Sequence, residues 1–189
     1  MAAGLTTRPR LATPALLVAS VLAGTLLLAG CADLDAMPTG GPVATPIGSP
    51  AGGPGASAAR DAIFDALGRS NLIVAETSTP FRPPESAPLA AAPRNVYQVT
   101  LPQDPDKGFI VVYGLPTQAD AAAAAEAQRE YLASGPGRVQ SPQGTDSVIQ
   151  QLGSAVIVYQ WLPADAKDPA APRVADALRM IGETFPVAP

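Results

Sequence analysis

Histidine is missing from all 189 residues, and cysteine occurs once, at Cys31. Without an imidazole, Ser-His-Asp and Cys-His nucleophilic sites are excluded, as are zinc sites built on His or Cys. A single thiol forms no disulfide within the chain, so packing alone must hold the fold. Basic residues are also few: 12 Lys and Arg stand against 16 Asp and Glu, a net charge of −4. Affinity for nucleic acid rests largely on Lys and Arg neutralising phosphates, so no nucleic-acid partner is expected.

What the chain does have is an apolar run near its start. Arg8 and Arg10 are the only charges before Cys31, and they precede Leu11 to Ala29, built from Leu, Val, Ala and small polar residues. A basic n-region followed by an h-region is the layout of an export signal. Pro9 separates the two arginines, which rules out a twin-arginine signal. Leu28, Ala29 and Gly30 then stand directly before Cys31, and this order resembles the lipobox of bacterial lipoproteins at every position. That resemblance implies a diacylglyceryl group on the Cys31 sulfur, cleavage just before Cys31 by a dedicated signal peptidase, and often a further fatty acyl chain such as palmitate on the new amino group.

The chemistry is consistent with that resemblance. Small Ala29 and Gly30 leave the backbone open to a peptidase, and the Cys31 thiolate is the only soft nucleophile in the chain. At about 0.8 kcal/mol per buried methylene, one acyl chain holds weakly and two or three hold lastingly. Cys31 is therefore expected to be an anchor. The competing reading is an uncleaved membrane span, because the 19 residues from Leu11 to Ala29 approach the roughly 20 that a bilayer needs. Pro14 and the small residues weaken such a helix. Removal of residues 1–30 takes two arginines and no acid, leaving 10 basic and 16 acidic residues, a net charge of −6.

Three segments follow: a signal peptide over 1–30, a lipidated N-terminus and flexible linker over 31–57, and one folded domain over 58–189. In the linker, prolines recur at every fourth position, 38, 42, 46, 50 and 54, among Gly, Ala, Thr and Ser. Proline removes donors and glycine raises the entropy of ordering, so this stretch is expected to be a spacer. As coil it would span roughly 30 Å, and as a polyproline-type segment up to about 80 Å.

In the domain, a helix is expected from Ser57, with Ile63, Phe64 and Leu67 on one face and Gly68 as its stop. A short strand over 72–75 follows. Residues 80–93 carry five prolines, which makes them either an exposed excursion or a boundary before a domain that starts near Arg94. Residues 95–101 alternate as a half-buried strand, and 109–113 read as a central one. Thr117 caps a long alanine-rich helix to Ser134, ahead of a Gly-Pro-Gly turn. Residues 147–152 and 155–161 read as strands around Gly153, and Val174, Leu178 and Ile181 share one stripe of a last helix. The expected class is α+β: a two-layer sandwich with a mainly antiparallel sheet of four or five strands and helices packed on one face.

No catalytic set emerges from the domain, and neither a metal nor a cofactor is expected. Asp104 and Asp106 alternate as calcium ligands would, yet the further acids of an EF-hand are missing and a hairpin turn accounts for them. The loop from Ser141 to Asp146 offers Thr145 to a ligand but holds no base to activate a nucleophile. Alternation places Tyr159 and Trp161 on one side of their strand, where aromatic faces suit sugars or apolar groups; core packing is the competing use. Tyr97 and Tyr113 are further aromatic candidates. Glu126 and Glu130 lie one turn apart beside Arg129, and paired acids of this kind are the one motive for a carboxylate-based hydrolase.

Residues 109–132, a strand followed by LPTQADAAAAAEAQREYL, are similar in outline to the peptidoglycan-binding SPOR repeat. Tyr113-Gly114-Leu115 departs from that family's usual Gln-x-Gly-Ser-Phe run. The expectation from sequence is a non-enzymatic lipoprotein of the bacterial cell envelope, lipid-anchored outside the cytoplasm, with a binding or scaffolding domain. Its partners would be the membrane, the lipoprotein-processing enzymes and an envelope ligand or protein. A peptidoglycan-binding module is the first alternative and a hydrolase the second.

Overall fold

The computed structural model describes residues 53–187, so Cys31, its lipobox and most of the proline-rich linker lie outside the described residues. The elements run α1 (Gly53–Arg69), β1 (Val74–Glu76), α2 (Ala87–Ala91), β2 (Arg94–Val99), β3 (Phe109–Gly114), α3 (Gln118–Ala133), α4 (Gly135–Gln140), β4 (Asp146–Leu152), β5 (Ala155–Trp161), α5 (Ala171–Arg179) and β6 (Glu183–Thr184). All strands pair antiparallel in one sheet of order β1-β2-β3-β5-β4-β6. This is the expected α+β antiparallel architecture, with six strands instead of four or five.

Patterning explains the strands. Tyr97 and Val99 are buried while Val96 and Gln98 are only partly covered, so β2 alternates as a strand with one better-buried face does. β3 is buried from Ile110 to Gly114, as its unbroken apolar run requires. Successive side chains of β3 enter opposite cores. Ile110 and Val112 join Tyr97, Ile157 and Tyr159 beneath α1 and α5. Val111 and Tyr113 join Ile149, Val156 and Val158 beneath α3 and Leu89 of α2.

α1 and α5 thus form the helical layer expected on one face, and helical cover extends to the second face as well. Connection handedness gives the reason. β3 and β4 are parallel with β5 between them, joined through α3; β5 and β6 are parallel with β4 between them, joined through α5. Both connections move the same way across the sheet, but their strands point in opposite directions. Crossovers sharing the usual right hand must then place α3 and α5 on opposite faces.

Several boundaries depart from expectation. α1 begins at Gly53, ahead of Ser57, so residues 53–57 belong to the folded unit. A Cβ on Gly55 would stand 2.2 Å from Ser154 Oγ and 3.2 Å from the Ser154 carbonyl carbon, so a residue without a side chain lets α1 meet the β4–β5 turn. Phe64 leaves the buried face of α1, remaining 39% exposed and meeting Tyr97 edge-on at 5.9 Å. The Gly-Pro-Gly expected to turn opens α4, whose first turn is capped by Ser134.

Residues 80–93 are part of the packed domain. Leu89 is fully buried. The equally buried Gln128 of α3 accepts from the Ser86 N–H at 2.7 Å and donates to the Pro84 carbonyl at 2.9 Å. Glu85 accepts from Tyr113 Oη at 2.7 Å and pairs with Arg82 at 2.6 Å and Arg94 at 3.1 Å. A chain too rich in proline to pair along its own backbone is tied down by side chains instead.

Candidate functional site

A cavity of about 220 Å³ opens at the end of the sheet where β3 starts and β5 finishes. Its apolar lining includes Phe81, Leu101, Phe109, Trp161 and Leu162. Phe81 stacks on Phe109 with ring centroids 4.5 Å apart and planes 13° from parallel, an arrangement that fixes both rings. Trp161 is half-buried against the α1/α5 core. Its Nε1 donates to Asp146 Oδ2 at 3.2 Å, across the β4–β5 register pair, and Arg179 Nη2 donates to the same oxygen at 2.7 Å.

The acidic side of the cavity comes from Asp104, Asp106 and Asp165, with Lys107 the lone ammonium. Asp104 is 6% exposed, and its Oδ2 accepts from the backbone N–H of Asp168 at 2.8 Å and of Lys167 at 2.7 Å. The Asp168 bond first, and then that of Lys167, hold the Asp104 carboxyl below the usual carboxylate range. Lys107 Nζ donates to the Asp165 carbonyl at 2.8 Å. The turn over residues 102–108 is therefore a clasp on the loop before α5. Among the described residues no group of three or more His, Cys, Asp and Glu side chains could hold a metal ion.

Of the residues singled out from sequence, Tyr159 and Trp161 both line this cavity. Tyr159 is also core, only 1% exposed, so packing and the site share it. Burial, and then the charges of Asp146 and Asp104, push its phenol up, and it stays neutral. Thr145 lies in an adjoining hollow of about 680 Å³, beside Arg138, Asp146 and Ser147. Its hydroxyl donates to the Pro142 carbonyl at 2.7 Å and closes its own turn. Pro142 borders both spaces.

Tyr97 and Tyr113 do not join the cavity: one sits in the α1/α5 core and the other in the α2/α3 core. Glu126 and Glu130 lie away from it on α3. Arg129 bonds Glu126 through both its Nε and its Nη2 and approaches Glu130 at 3.8 Å. The Arg129 bond holds Glu126 below the usual carboxylate range, the opposite of what a general acid needs. Phe81 and Phe109 belong to the site without having been singled out. Phe81 sits among prolines, and only the fold brings it to β3.

Compared with known proteins, the chain matches no family model, and no curated protein or solved structure is significantly similar to it.

Proposed function

We propose that the chain is a lipoprotein of the bacterial cell envelope, anchored by lipid on Cys31, whose folded domain binds a ligand and does no chemistry on it. The observation that carries the reading is the Leu28-Ala29-Gly30-Cys31 order behind a basic and then apolar segment. The character of the cavity supports the second half. Its walls are aromatic and aliphatic, and its buried carboxylate, Asp104, is tied up by backbone N–H groups. That makes it a structural acceptor, unsuited to proton transfer.

Intact mass spectrometry of the native protein extracted from membranes tests the anchor. The expected mass is that of residues 31–189 plus a diacylglyceryl group, with or without an N-acyl chain. Cys31→Ala is expected to abolish both the lipid and the membrane attachment while the domain stays folded. A mass equal to the unprocessed chain would instead make Leu11 to Ala29 a membrane span.

A further inference from the structure

We propose that the cavity at the ends of β3 and β5 binds a small organic cation, an ammonium attached to a single ring or a compact apolar body. The inference rests on the reading of the domain as a binding module and names the class of its ligand.

Tyr159 carries the first part. It is 99% buried, lines the cavity, and its hydroxyl makes no hydrogen bond with any described residue. Buried hydroxyls are normally paired, so one left open to a cavity is a ready partner for a guest. A neutral phenol oxygen accepts from an ammonium N–H.

Charge carries the second part. Three carboxylates, Asp104, Asp106 and Asp165, share the lining with one ammonium, Lys107, which is already bonded to a backbone carbonyl. A carboxylate or phosphate guest would meet repulsion there, and a cation would meet attraction. The indole of Trp161 lines the same space, and an aromatic ring is a second attraction for a cation in a partly dry site. Volume sets the size: a cavity of roughly 150 Å³ accepts benzene, so about 220 Å³ admits one substituted ring and little more.

Trp161 is the only tryptophan, so its fluorescence reports on binding at the cavity wall it forms, and the Tyr159 and aspartate variants below separate this cavity from the shallower hollow that Trp161 also borders. Full-length protein in detergent would be titrated with three probes of one shape: benzylammonium, benzyl alcohol and benzoate. Benzylammonium is expected to saturate the signal with an affinity at least about fivefold above that of benzyl alcohol, and benzoate to give no saturation. Asp106→Asn with Asp165→Asn, both at exposed positions, should erase that preference without unfolding the protein. Tyr159→Phe should weaken benzylammonium roughly three- to tenfold, the net worth of one hydrogen bond. Equal binding of benzylammonium and benzyl alcohol, or preferred binding of benzoate, overturns the cation assignment and leaves a binding cavity standing. No saturable signal from any probe overturns the site itself. The mass of the same sample reads the anchor independently, so loss of one conclusion is not mistaken for loss of the other.

Discussion

Asp104 and Asp168 hold each other's loops. The Asp168 N–H donates to Asp104 Oδ2 at 2.8 Å, while Asp168 Oδ2 accepts from the N–H of Gln103, next to Asp104, at 3.0 Å. Both side chains are nearly fully buried. The turn between β2 and β3 and the loop leading into α5 are thereby locked 64 residues apart in sequence, and these two loops supply the acidic side of the cavity.

Stability should follow the charge of Asp104. Its folded pKa is lowered, so the carboxylate contributes fully above its unfolded value of about 3.9, and the contribution disappears as pH falls through the lower folded value. Thermal melts of the wild type and Asp104→Asn are expected to differ most near pH 7, with the wild type higher. The gap should close as pH drops below about 4. A gap unchanged between pH 7 and pH 2 would show that the carboxylate charge is immaterial.

Glu85 and Tyr113 form the bond that docks the proline-rich segment. Tyr113 donates to Glu85 Oε1 at 2.7 Å, and Glu85 is 3% exposed in its side chain. Arg82 is more than half exposed, so its pairing adds little. Glu85→Ala is expected to cost about 1–3 kcal/mol by orphaning the phenol, and Tyr113→Phe about 1 kcal/mol. Urea melts of both single variants and the double variant should give a coupling of about 0.5–1.5 kcal/mol. Strict additivity would show that the bond is not formed in solution.

Gly182 permits the sixth strand. Its φ is +64°, and a Cβ there would lie 2.0 Å from the Gln151 carbonyl oxygen. Gly182→Ala combines left-handed backbone strain with a backbone clash, for an expected loss of about 2–4 kcal/mol. Hydrogen exchange should localise the opening to β4 and β6, where Gln150 and Gln151 pair with Thr184 and Glu183. Exchange unchanged at Gln150 and Gln151 would contradict it.

The elements legible in the sequence are those whose signals are local. Thr117 caps α3 as expected, its hydroxyl accepting from the Asp120 N–H at 3.1 Å, because a cap and its helix lie within four residues. β5 spans the expected residues because an unbroken apolar run just after Gly153 marks it. β6 left no such trace. It has two exposed residues, and what holds it lies elsewhere in the chain. The buried Gln150 amide, turned to satisfy its neighbours, donates to the carbonyls of Ile181 at 2.8 Å and Glu183 at 3.0 Å. The cavity was half legible for the same reason. Tyr159 and Trp161 announce themselves on one strand, whereas Phe81 reaches Phe109 only because Gln128 and Tyr113 dock the segment that carries it.

The seating of Gly55 on Ser154 gives the domain a direction. The chain enters at the β4–β5 turn, and β5 runs from there for seven residues, about 20 Å at strand spacing, before it reaches Trp161. Gly55, near the start of the described residues, and the cavity therefore lie at opposite ends of β5.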